Sequence, residues 1–187
     1  TYRLINESFK NWRGMRESGG RRIKRALLLD QSSIRFLEAA EVDRLKRFAL
    51  IDGYLGRKAE ELEASNRDLV EAGRDPVNAR RVTNIGTFRA YVESYLRSHP
   101  RIRQDMTLLV RQLAPTPEGL PLEVYAFTAT TAWADYETIQ SDIFDHLLAI
   151  LPQFGLRQFQ QPSGGDLVAG LRGSPAAAPA AVISRCA

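Results

Sequence analysis

The stretch WADYETIQSDIFDHLLAILPQFGLRQFQQPSGG, Trp133 to Gly165, decides how this chain is read. Tyr136, Ile139, Ile143, Leu147 and Ile150 recur at three- and four-residue spacing, and Phe144, Leu148 and Leu151 widen the stripe to a core-facing helix face. Glu137, Gln140, Asp142 and Asp145 occupy the other side. The pattern predicts a helix that covers a sheet with one face and meets solvent with the other, with Ile143 and Leu147 buried. Pro152 to Gly155 stops it, a short strand is expected over Leu156–Gln160, and the exit is polar. No catalytic arrangement occurs in this stretch.

Working outward, Leu122–Thr130 and Met106–Leu113 read as two strands joined by the proline-rich turn Ala114 to Pro121. Before them a helix over Thr87–Arg97 places Phe88, Tyr91, Val92 and Tyr95 on one side, and His99-Pro100 ends it. Asn66–Val82 carries little pattern beyond a turn at Gly73, Asp75 and Pro76. Further back, one helix is expected from Ala39 to Ser65. Its stripe is Val42, Leu45, Ala49, Leu55, Ala59 and Leu62, widened by Phe48 and Ile51, and a kink is expected at Gly53 and Gly56. Arg22–Leu29 alternates as a strand that starts polar and ends buried, and Ser33–Leu37 reads as a short extended piece. Thr1 to Met15 is mixed and amphipathic, ended by Ser18-Gly19-Gly20.

The order β-α-α-β-β-α-β, with the second helix taken as an insertion, is an α+β, ferredoxin-like split β-α-β sandwich: helices on one face of a largely antiparallel sheet. A chain of 187 residues suffices for such a core. The formal charge is +4, but residues 1–25 hold eight basic residues against Glu7 and Glu17, and the remaining 162 sum to −2. The basic balance therefore belongs to the amino-terminal segment and not to a broad nucleic-acid-binding face. The lone Cys186 cannot form an intrachain disulfide, in keeping with a reducing compartment. No stretch approaches the roughly 20 apolar residues of a membrane span, and no secretory signal opens the chain. Beginning at Thr1 inside a strand or linker, it reads as a fragment.

Little of the sequence is chemistry-bearing. His99 reads as part of a helix stop and His146 as a residue on the polar edge of the last helix. There is no paired Cys or His at metal-ligand spacing. Ser18-Gly19-Gly20-Arg21-Arg22 precedes a strand instead of a helix, so no helix dipole points at an anion there. Asp142 and Asp145 share a helix face that is better read as solvated than as a cation site. The expectation is no enzyme, no catalytic residue, no cofactor and no metal. RNA binding deserves weighing, since Tyr125 and Phe127 lie on one sheet face near a basic segment. The basic-Gly-aromatic signature is missing, however, and Glu123 shares that face. The aromatics are expected to pack on a neighbouring element or subunit, and no nucleic-acid partner is expected. A soluble ferredoxin-like regulatory or RNA-binding module is the alternative reading.

Three stretches, ESFKNWRGMRESGGRRIKRALLLD (Glu7–Asp30), NIGTFRAYVESYLRSHPRIRQDMTLLVRQL (Asn84–Leu113) and Trp133–Gly165, resemble the bacterial small-conductance mechanosensitive channel family, nearest its miniconductance, YbdG-like branch. The resemblance implies the cytoplasmic vestibule domain of a channel that opens under membrane tension and releases solutes on hypo-osmotic shock. It further implies a homo-oligomer, usually a heptamer, in the bacterial inner membrane, with this domain on the cytoplasmic side. The membrane would be reached through upstream helices absent here, and ions and small solutes would pass through the assembly. On that reading residues 1–20 are the end of a small β-domain and a linker, 21–165 the cytoplasmic α/β domain, and 166–187 a low-complexity tail. Tyr125, Phe127 and Trp133 would then be candidates for contact between ring neighbours. The basic segment Lys10 to Arg25 would face the membrane end.

Overall fold

The computed structural model describes residues 19–73, 77 and 79–161. The stretch Thr1 to Met15, most of the basic segment, Cys186 and the alanine-proline tail lie outside the described residues. Within them the protein is α+β, with a three-stranded antiparallel sheet and helices on one of its faces.

Strand β1, Arg21–Leu29, buries Ile23, Leu27 and Leu29, the alternation its sequence predicts. It pairs over its whole length with β3, Leu120–Thr128, which pairs on its other edge with β2, Leu109–Gln112, giving the order β1-β3-β2. The turn into β3 closes through Thr116 and Gly119, whose amides and carbonyls exchange two hydrogen bonds of 2.9 and 3.0 Å. Gly119 has φ 101°, and a Cβ there would sit 2.5 Å from the Leu29 carbonyl oxygen, so only glycine fits.

β2 starts later than its sequence predicts, and β3 is shifted two residues earlier. Residues 104–108 leave the sheet, and pairing resumes only at Ile102, which bridges Thr128. β3 ends at Thr128, whose hydroxyl donates to the Thr130 carbonyl (2.9 Å), with the Arg21 carbonyl at 3.2 Å as its alternative acceptor, as the chain turns toward the next helix. The strand expected over Leu156–Gln160 is reduced to one bridge, Leu29 to Gln158, supported by Asp30 N to Arg157 O (2.9 Å) and Phe159 N to Leu28 O (2.8 Å). It lies beside β1, the position a fourth strand of the split β-α-β arrangement takes, but does not extend the ladder.

The helix expected over Ala39–Ser65 is two helices, α1 (Ala39–Leu45) and α2 (Asp52–Glu71). The break falls at 46–51 and not at the glycines. In one continuous helix Leu45 and Ile51 would project about 120° apart. Two tight turns, Phe48 N to Leu45 O and Ile51 N to Phe48 O, each 2.9 Å, aim both into the core, where each is 0% exposed. Gly53 and Gly56 sit inside α2 on its exposed side, and α2 runs on through Asn66 into the stretch that carries little pattern. Asn66 then clasps the returning chain, accepting from Arg80 N and donating to Arg80 O at 2.8 Å each. The extended piece at Ser33–Leu37 makes a single bridge, Phe36 to Thr83.

Helix α3, Asn84–Ser98, begins three residues before its expected start because Thr83 caps it, its hydroxyl accepting from Gly86 N at 3.2 Å. Asn84 is 0% exposed and ties three segments together. Its side-chain oxygen accepts from the amides of Arg35 (3.1 Å) and Ile85 (2.8 Å), and its amide donates to Ser33 O (2.8 Å) and Gly155 O (3.5 Å). Helix α4, Trp133–Ile150, buries Ile139, Ile143, Phe144 and Leu147, the phase its stripe predicts. α3 lies over β2 and α4 over β1. The turn Leu151–Phe154 closes the core with Phe154, whose ring packs against Phe48, Phe88 and Tyr91 at centroid distances of 6.0, 5.2 and 5.3 Å.

Candidate functional site on the open sheet face

With α3 and α4 on one side, the sheet's other side is set by register. Pro121, Glu123, Tyr125 and Phe127 alternate onto it from β3, opposite Leu28, Ala26, Lys24 and Arg22 of β1, and β2 adds Leu109 and Arg111. No described helix covers this face. Tyr125 and Phe127 form an edge-to-face pair 5.6 Å apart at its centre, half-buried, and the Arg22 guanidinium lies 5.8 Å from the Tyr125 ring. Leu109 beside them is 42% exposed. Glu123 is the acid the sequence puts on this face, and it is 5% exposed and held by Arg111 through Nε (2.9 Å) and a terminal guanidinium nitrogen (2.7 Å). Its charge is thus matched locally, and the face is a band of cations, aromatics and one ion pair around an apolar centre.

Trp133 does not join it. Residues Arg21 and Arg25 point to the helical side of β1, and Arg21 lies 4.1 Å over the Trp133 ring and 4.6 Å over Tyr136, while Arg25 lies 4.4 Å over Phe144. Trp133 remains 63% exposed at the start of α4. Of the three aromatics expected in a contact, two share the open face and the third stands at the edge of the helical layer.

The histidines were expected as separate surface or capping groups. His99 does cap α3, but His146 turns inward between the helices. Its Nε2 is 2.8 Å from the Tyr91 hydroxyl, and its ring stacks on Tyr95 at 4.4 Å, with His99 beyond at 5.8 Å from Tyr95. Burial lowers the His99 pKa, helped by Arg101 and opposed by Asp142. Burial raises those of Tyr91 and Tyr95. Nothing in the local sequence around His146 signals this row, since Tyr91 is 55 residues away. Asp142 and Asp145 are both exposed, and among the described residues no group of three or more His, Cys, Asp or Glu is placed to hold a metal ion. Nor is any described helix long and apolar enough to cross a membrane.

Comparison with known proteins bears on the same helices and strands. Residues 81–157, which run from the cap of α3 through the close of the core, match the family described as mechanosensitive ion channel MscS, C-terminal. A stretch of 71 residues is 34% identical to the low conductance mechanosensitive channel YnaI of Escherichia coli (strain K12). That match takes in 38% of this chain and 21% of the relative, so the chain corresponds to about a fifth of that channel. The match is to a family of ion channels and not of enzymes. Through residues 81–157, and for that part of the chain, the resemblance to the C-terminal region of the small-conductance mechanosensitive channel family is shown.

Proposed function

We propose that the chain is the cytoplasmic vestibule domain of a mechanosensitive channel of the bacterial inner membrane. It would assemble with copies of itself, as a heptamer in the complete channel, beneath a pore that opens under tension and releases solutes on hypo-osmotic shock. Residues 21–165 form that domain, with the end of a β-domain before it and a low-complexity tail after it. The observation that carries the reading is the match of residues 81–157 to the C-terminal region of this channel family. The ungapped runs around Asn84 and Ile139 support placing it in the miniconductance branch.

The open sheet face supports self-assembly. A sheet with helices on one side leaves the other to be covered, and Tyr125, Phe127 and Leu109 are the apolar groups a ring neighbour would cover. Tension enters elsewhere. It selects the state of larger in-plane area, a bias exerted on membrane helices upstream of this domain.

The test is patch-clamp recording of the full-length parent in membranes lacking other mechanosensitive channels, under stepped suction. Unitary currents that rise with suction and vanish without the gene establish the channel. Silence up to membrane rupture, with the protein shown to be present, refutes conduction and favours a regulatory role for the domain.

A further inference from the structure

Helices α2 and α3 enclose a groove of about 310 Å³ lined by Tyr54, Arg57, Gly86, Arg89, Glu93 and Arg97, with Ala90 and Ser94 on its floor. All of its lining residues belong to these two helices and none to the sheet. Three arginines, Arg57, Arg89 and Arg97, are among its lining residues. Arg97 is shared with Glu93 at 2.8 Å, but among the described residues the Arg57 and Arg89 side chains have no ion-pair or hydrogen-bond partner. Other described arginines are engaged, Arg35 with Glu41, Arg80 with Glu61, Arg103 with Asp105, Arg111 with Glu123 and Arg157 with Asp30. Arg47, Arg67 and Arg101 are as open as Arg57 and Arg89 but do not line the groove. Gly86 keeps the groove open beside the α3 cap. A side chain there would meet the Thr83 hydroxyl at 2.9 Å and the Tyr54 hydroxyl at 4.0 Å.

We propose that this groove binds a small dianionic phosphate group, clasped between Arg57 on α2 and Arg89 on α3 and steered by Arg97. With Glu93 included, the lining carries a net charge of +2, which a phosphate dianion matches. The planar guanidinium fork suits bidentate contact with phosphate oxygens. The Tyr54 and Ser94 hydroxyls add neutral hydrogen-bond donors. The volume is at the small end of ligand pockets, enough for a phosphomonoester and too small for a large cofactor. The same chemistry is offered by a soluble phosphomonoester and by the head group of an anionic phospholipid. Binding would join α2 to α3, the two helices whose connecting segment is otherwise held by the Asn66–Arg80 clasp.

The experiment is titration of the whole chain, at constant ionic strength, with glycerol 3-phosphate in a calorimeter and with phosphatidic acid vesicles in a sedimentation assay. Arg57→Gln and Arg89→Gln are the test variants, and both residues are exposed on helices where glutamine is tolerated. Each is expected to weaken binding about tenfold or more. Glu93→Gln should strengthen it. Arg67→Gln, the same change of net charge elsewhere on α2, should leave it unchanged. Calorimetric binding with this pattern assigns a soluble ligand, and vesicle binding alone with the same pattern assigns a lipid head group. Absence of binding in both assays overturns the proposal. So does binding that Arg67→Gln weakens as much as Arg89→Gln, which would be general charge attraction.

Discussion

At the scale of single residues, the fold depends most on a side chain with no chemistry to perform. Asn84 is fully buried and uses both ends of its amide to hold the Ser33–Arg35 segment, the start of α3 and the Gly155 turn. Asn84→Ala leaves the Arg35 amide and Ser33 carbonyl without their partner, and a buried unsatisfied group costs about 1–3 kcal/mol. The variant is expected to lose about 2–4 kcal/mol in urea denaturation, since more than one group is orphaned. A loss within experimental error of zero would show that water replaces the amide.

Several paired carboxylates and one histidine shape the acid side of the stability profile. Glu41, Asp105, Asp30 and Glu61 all have lowered pKa values, and Glu41 and His99 show the two kinds of contribution. Arg35 holds the Glu41 carboxylate through two hydrogen bonds, and the Glu38 amide adds a third, bringing the Glu41 pKa down to about 2. A lowered acid pKa contributes stability that is present above the unfolded value of 4.5 and lost as pH falls toward 2. His99 acts in the same direction at higher pH. Burial favours its neutral form, so its contribution is complete above 6.5 and is lost as pH falls below that. Stability measured by denaturant midpoint should therefore fall in two stages on acidification. Glu41→Gln should make the stage between pH 4.5 and 2 shallower, the remainder being carried by groups such as Asp105, and His99→Gln should reduce the stage below 6.5. Unchanged slopes in either variant would mean that other groups carry that stage.

At the scale of elements, the phase of α4 was readable because an isolated amphipathic helix repeats its apolar stripe without interruption. Ile143 and Leu147 are both 0% exposed. Replacing either with Asp puts an unpaired charge in the core, at a cost of several kcal/mol, comparable with the 5–15 kcal/mol that holds a whole domain together. Ile143→Asp should yield insoluble or unfolded protein by circular dichroism. Asp142→Asn, on the exposed face one residue away, should melt within about 0.5 kcal/mol of the parent.

The helix over Ala39–Ser65 shows the opposite case. Its stripe is continuous enough to suggest one helix, and its glycines suggest a kink, yet the chain breaks before them. Local propensity did not decide this. Leu45, Phe48, Ile51 and Leu55 all had to reach a core built by residues far along the chain, Phe88, Tyr91 and Phe154. Phe154 is the ring they meet. Phe154→Ala is expected to cost about 3–5 kcal/mol, and a thermal melt should show it together with loss of near-ultraviolet circular dichroism. The last strand was also misjudged for a reason of scale. A five-residue segment such as Leu156–Gln160 cannot say how many ladder bonds its neighbour offers, and β1 offers it one bridge.

At the scale of the whole molecule, the layer arrangement leaves one sheet face uncovered by any described helix. If copies of the chain meet there, Tyr125→Glu with Leu109→Lys should shift the full-length channel from its oligomer toward monomer in light scattering, while the monomer's circular dichroism stays native. Neither residue is in the buried core, so folding should survive. An oligomer of unchanged mass would move the contact to another surface. Trp133, stacked under Arg21 at the helical edge, is the next place to look.

The sequence by itself determined the class of the fold, the strand that leads it, the faces of α3 and α4, and the resemblance to a channel family through runs such as Asn84-Ile85-Gly86-Thr87-Phe88-Arg89. These follow from short-range periodicity and from residue identity, both of which a linear chain displays in full. Only the tertiary structure decided where the first long helix breaks, that Leu156–Gln160 gives a bridge and not a strand, that His146 joins Tyr91 and Tyr95, and that Arg57 and Arg89 face one groove. Each of these depends on residues tens of positions apart meeting in space. Such meetings are set by how the layers pack around Phe154 and Asn84, and no local pattern encodes them.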